Sequence, residues 1–94
     1  MPLFVRLVTF TEQGSRNIKG SAAILADVKK IMEANGVKLL HAWATLGAYD
    51  VVSVVEAKDS ETMAKVSALI SASGNHRAVT LAAVPFEHFA KTLG

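Results

Sequence analysis

The sequence predicts an α+β fold in the order βαββαβ, on three observations. Four short segments are dense in β-branched and aromatic residues. Two stretches with apolar residues at helical spacing separate the first segment from the second and the third from the fourth. A brief glycine-containing connection joins the second segment to the third. Crossover handedness then puts both helices on one side of a single four-stranded antiparallel sheet.

The elements follow in order. Leu3 to Phe10 (LFVRLVTF) reads as a strand with Leu3, Val5 and Leu7 on one face and Phe4, Val8 and Phe10 on the other. The polar stretch TEQGSRNIKGS reads as a loop that ends at Ser21, the expected helix N-cap. Leu25, Val28, Ile31 and Met32 share one face of the first helix, and Asn35-Gly36 supplies a left-handed stop. A second strand runs from Val37 to about Thr45. Gly47 offers the positive φ of a tight hairpin, and Tyr49 to Ala57 forms the third strand. Asp59 or Ser60 caps a second helix with Met63, Val66, Leu69 and Ile70 on one face. His76 to Val84 is the fourth strand, and Phe86 and Phe89 mark one helical turn in the tail. The whole, residues 1–94, is one ferredoxin-like domain.

Composition narrows the function classes. The 94 residues are 51% hydrophobic and 19% charged, unlike a disordered chain, and so short a chain buries only about 64% of its surface. Helices cover one sheet face, yet strands one and three are apolar on both faces, with Val51 and Val55 one way and Val52 and Val54 the other, where a solvated face would be polar. That pattern predicts a homodimer, or a hexamer built from it, with two sheets face to face around a cavity. The net charge of +2 comes without any basic run longer than Lys29-Lys30, so no nucleic-acid partner is expected. No apolar run reaches the roughly 20 residues that span a bilayer, so no membrane partner is expected. No signal peptide is legible, and the cytoplasm is the expected location. There is no cysteine, and His41, His76 and His88 lack metal-ligand spacing, so neither a metal nor another cofactor is expected.

Residues 43–55, WATLGAYDVVSVV, carry a Gly-x-Tyr-Asp stretch in Gly47, Tyr49 and Asp50. Together with Thr11, Gln13-Gly14, Asn17-Ile18, Glu56-Ala57, Gly74-Asn75, Arg77 and Thr80-Leu81, it resembles the GYD-domain family across nearly the whole chain. The resemblance implies a dimeric α/β-barrel type of ferredoxin-like fold, as in small bacterial or archaeal proteins, and brings no defined reaction with it. Similar sequences carry a Pro and then an Arg where this chain has Ser21-Ala22-Ala23. A ligand contact by that arginine is therefore not expected here.

Six residues are candidates for ligand binding at the inter-sheet cavity: His41, Trp43, Tyr49, Asp50, Arg77 and Thr80. Asp50 and the Tyr49 hydroxyl serve as polar anchors, or else Asp50 merely accepts bonds from turn amides. Asp50 suits a cationic or hydroxyl-bearing group and Arg77 a carboxylate. Alternatively, Arg77 simply neutralises Asp50. His41 and Trp43 share a face of strand two, and burial habit favours the core for Trp43. His76 is expected to be a solvated edge residue. Arg6 sits mid-strand among apolar neighbours, where it pairs with a carboxylate such as Asp50 or Glu56, reaches the rim or holds an anion; pairing is the first expectation. The leading functional expectation is a homo-oligomer that binds or senses a small organic ligand. Two alternatives are a cofactor-independent monooxygenase- or isomerase-like enzyme, and a purely structural assembly protein.

Overall fold

The computed structural model describes residues 1–94. Strands β1 (Leu3–Phe10), β2 (Lys38–Ala44), β3 (Val51–Glu56) and β4 (His76–Ala83) form one sheet in the order β2-β3-β1-β4, every neighbouring pair antiparallel. Helices α2 (Ser21–Ala34) and α3 (Ser60–Ser71) are the two crossovers, and both pack on the same face. The topology is the ferredoxin-like one. No helix is long and apolar enough to cross a membrane.

Alternation along β1 separates the two faces. Phe4, Arg6 and Val8 are buried toward the helices, whereas Leu3, Val5 and Leu7 point to the open side. The core lies mainly beneath α3: Phe4, Met32, Val37, Val55, Ala57, Met63, Val66 and Ile70, with Val28, Ile31 and Leu39 packed against it. Each of these larger apolar side chains contributes about 1.5–3 kcal/mol when fully buried. Leu69, expected on the buried face of α3, is 44% exposed.

Three local expectations are corrected. The stretch from Thr11 to Ser21 is not a loop: α1 (Glu12–Arg16) and a 3-10 turn (Ile18–Gly20) occupy it. Thr11 caps α1, its Oγ1 accepting from Gly14 N–H at 3.1 Å. Ser21 is the first residue of α2 and not its cap; Gly20 stands in the cap position without a side chain to offer. The tail forms α4 (Phe86–Thr92), longer than one turn, and leaves Phe86, Phe89 and Leu93 exposed. The Asp59 cap is as expected, with its carboxylate accepting from Thr62 N–H at 2.7 Å, which holds it below the usual carboxylate range.

Trp43 requires the fourth correction. Without interruption, Leu39, His41 and Trp43 would share one face, and Leu39 does pack on the core. The register shifts between Leu39 and His41, where two steps on β2 match one step on β3. This bulge throws His41 and Trp43 to the open face. There Trp43 is 51% exposed and stacks on His41, with ring centroids 5.2 Å apart. The rest of that face is apolar, with Val5, Leu7, Val52, Val54, Val79 and Leu81 spread over the three strands beside it.

Candidate functional site

The helix-facing side of the sheet is unevenly covered. Under α3 it is packed tightly, while under α1, the 3-10 turn and the first half of α2 it leaves a cleft of about 410 Å³. Hydrocarbon makes up most of the wall, with Val8, Ile24, Leu25, Val28 and Val51 among the contributors. The polar side chains in the lining are few: Arg6, Ser21, Asp50, Ser53 and His76. A mostly apolar concavity with a few placed polar groups is the usual make-up of a small-molecule site.

Arg6 is the feature that stands out. It is 4% exposed and lines the cleft, yet Nε and Nη2 have no hydrogen-bond partner. The expected pairing with Asp50 or Glu56 does not occur; the ion pair in the molecule is Arg16–Glu12, on the surface of α1. Opposite Arg6 on β3 stands Ser53, also 4% exposed, with Oγ unpartnered. Burial pushes the Arg6 guanidinium below its ordinary range, but an arginine stays charged in a protein. The cleft therefore holds a positive charge that no carboxylate pairs with, Asp50 being engaged by Phe10 N–H.

Asp50 approaches from the hairpin. Its Oδ2 accepts from Phe10 N–H at 2.9 Å, and its own N–H donates to Val8 O at 2.8 Å. The carboxylate thus ties the hairpin to the end of β1 and does not bond the turn's own amides. Within the hairpin, Thr45 Oγ1 donates to Tyr49 O at 2.6 Å, and Gly47 takes φ +100° as expected.

His76 is no solvated edge residue. It is half-buried in the cleft lining, with its ring 5.6 Å from that of Phe10. Burial first, and the Arg6 charge second, push its pKa below the ordinary histidine value.

A backbone clamp sets the rear of the cleft. Thr11 N–H donates to Asn75 O at 3.1 Å, Thr11 Oγ1 donates to Gly74 O at 2.6 Å, and Gln13 Nε2 reaches Ser73 O and Asn75 Oδ1, each at 3.2 Å. Gly14 lies so close that a Cβ there would collide with the Asn75 carbonyl. The residue groups around Thr11 and Gly74, far apart in sequence, are thus one contact that seats α1 beside His76.

The six residues singled out from the sequence do not converge. His41 and Trp43 lie on the open face of β2, at one edge of the sheet. Arg77 is also on the open face but on β4, at the opposite edge, so it does not neutralise Asp50. Thr80 faces the helices, its Oγ1 3.4 Å from Ser67 Oγ. Tyr49 is half-buried in the hairpin. Only Asp50 and the strand residue Trp43 border the cleft. Sequence reasoning missed Ser53 and the lining role of His76; the signal for the site was the charge of Arg6 placed among apolar neighbours. No group of three or more His, Asp or Glu side chains comes together.

Comparisons with known proteins agree on the fold and the family. The chain is 34% identical over 86 residues, 90% of each chain, to a Thermus thermophilus protein named glutamine synthetase and cystathionine beta-lyase binding protein. Among solved structures it is similar to TTHA0845, also from Thermus thermophilus, with a TM-score of 0.57 and 24% identity over 90% of this chain and 95% of that one. It is similar also to 5-chloro-2-hydroxyhydroquinone dehydrochlorinase from Burkholderia phenoliruptrix AC1100, with a TM-score of 0.62 and 16% identity over 94% and 98% of the two chains. The model of the GYD domain matches residues 4–93. The chain belongs to the GYD-domain family.

Proposed function

We propose that this protein is a small-ligand-binding module that works as a homodimer, with the ligand in the cleft between α2 and the sheet. One observation carries the reading: a buried, unpaired Arg6 in a cleft of about 410 Å³ with a largely hydrocarbon wall. Leaving a buried charge without a partner costs several kcal/mol, about 3–5 when a buried pair is broken. A fold that keeps such a charge beside an open cleft is supported by a ligand that brings the missing counter-charge. This moves the ligand from the inter-sheet cavity to the helix side. The open face, with Val5, Leu7, Val52 and Val54 at its centre, then serves as the dimer interface.

A second reading comes from the Thermus thermophilus relative, whose name describes a binding protein for two enzymes. On that reading the exposed Phe86, Phe89 and Leu93 of α4 take a partner protein. Sedimentation combined with a thermal-shift screen of small organic molecules tests the primary reading. A micromolar dimer whose melting temperature rises with a small ligand supports it. A stable monomer with no small-molecule response over a broad panel, but with a captured enzyme partner, replaces it by the second.

A further inference from the structure

We infer that the cleft takes an organic monocarboxylate with a compact apolar body, its carboxylate seated on the Arg6 guanidinium in the cleft lining, near Ser53. The inference rests on the ligand-binding reading above and adds the class of ligand.

Three features select this class. The first is the identity of the orphaned atoms. In a guanidinium, the N–H bonds of Nε and Nη2 run side by side, and this fork matches the two oxygens of a carboxylate. Arg6 makes no side-chain hydrogen bond, and its Nε and Nη2 are wholly buried as well. Ser53, directly across β3, supplies a third donor with no other use.

The second feature is the charge balance. Arg6 is the one Lys or Arg in the lining, and Asp50 is the one carboxylate. Asp50 is engaged by Phe10 N–H and makes no ion pair with Arg6, so one carboxylate can pair with the guanidinium. A second would meet Asp50 with only one cation to share, so a dicarboxylate or a phosphate dianion is opposed. The third feature is the wall. Val8, Ile24, Leu25, Val28 and Val51 offer contact and little hydrogen bonding, so the body of the ligand is hydrocarbon.

The test is isothermal titration of the purified protein with benzoate and 3-methylbutanoate, against benzamide, phthalate and inorganic phosphate. The two monocarboxylates should bind, and benzamide, phthalate and phosphate should each bind at least about tenfold more weakly. Arg6→Met should cost benzoate at least about tenfold and erase its advantage over benzamide. Arg6→Lys, which keeps the charge but loses the fork, should restore only part of the affinity. Ser53→Ala, a milder change, should weaken benzoate by a smaller factor. Equal binding of benzamide and benzoate, or preference for phosphate, would overturn the ligand class while leaving a ligand-binding cleft. Benzoate affinity untouched by both Arg6→Met and Ser53→Ala would overturn the seat. If neither monocarboxylate nor benzamide binds at millimolar concentration, the class and the cleft reading fall together.

Discussion

Arg6 and Ser53 face each other across β1 and β3, each 4% exposed, and the polar atoms they bury have no partner. Native interiors rarely tolerate this, because an unmet donor next to a fixed charge retains its full desolvation cost. Such a pair is a local sacrifice of stability, of the kind found where a protein keeps a site open for something else.

Removing the charge should therefore stabilise the ligand-free protein. Arg6→Met keeps much of the length of the side chain, fills the same space and drops the buried charge. The expected gain is about 1–4 kcal/mol. For a chain of this size each kcal/mol raises the melting temperature by about 4–8 °C. Thermal unfolding followed by circular dichroism checks this, and a lower melting temperature for Arg6→Met would mean that Arg6 holds the fold together.

The half-buried His76 gives the fold a pH dependence of definite sign. Its folded pKa lies below the unfolded value of 6.5, so between the two the unfolded chain binds more protons. Its stabilising contribution is complete above about pH 6.5 and is lost as pH falls through the depressed folded pKa. His76→Gln should flatten this part of the stability profile. Urea midpoints measured from pH 8 down to pH 5 on both proteins decide it; parallel profiles would contradict the burial of His76.

Two glycines should fail for different reasons. Gly47 sits in open space at φ +100°, so Gly47→Val is strained by conformation, by about 1–3 kcal/mol, while Ala48→Val is tolerated. Gly14→Ala keeps an ordinary backbone but drives a methyl into the Asn75 carbonyl, and should loosen the clamp between α1 and the turn before β4. Equal melting temperatures for Gly47→Val and Ala48→Val would contradict the turn. Unchanged amide exchange at Thr11 in Gly14→Ala would contradict the clamp.

The element order was legible because period-two and helical apolar patterns are strong in β1, β3, α2 and α3. The fate of Trp43 was not. One extra residue between Leu39 and His41 inverts a strand, and nothing in LLHAW marks it. The short helix α1 was hidden for another reason: a five-residue helix held by Thr11 and by contacts to Gly74 and Asn75 has no periodicity to read. The charge of Arg6 was visible, but its lack of an ion-pair partner depends on where Asp50 and Glu56 end up. Asp50 is occupied by Phe10 N–H, and Glu56 pairs with Leu3, at the other end of β1 from Phe10.

Dimer formation should depend on the open face. Val52→Asp puts a charge opposite Leu7 at its centre and should convert a dimer into a monomer at micromolar concentration in sedimentation velocity. Trp43, the single tryptophan, reports on the same event: its emission should shift to the red when the face opens to water. Wild-type protein that already sediments as a monomer would contradict the interface.

The central claim is that Arg6 waits for an anion in the cleft, and its own Nε–H is the most direct witness. The chain has three arginines, Arg6, Arg16 and Arg77, so their Nε–H correlations in a ¹⁵N–¹H spectrum are readily assigned by single substitutions. On addition of benzoate, the account predicts that the Arg6 signal shifts and its exchange with water slows, while those of Arg16 and Arg77 stay in place. A benzoate titration that moves the Arg77 signal, or moves none of the three, would contradict it.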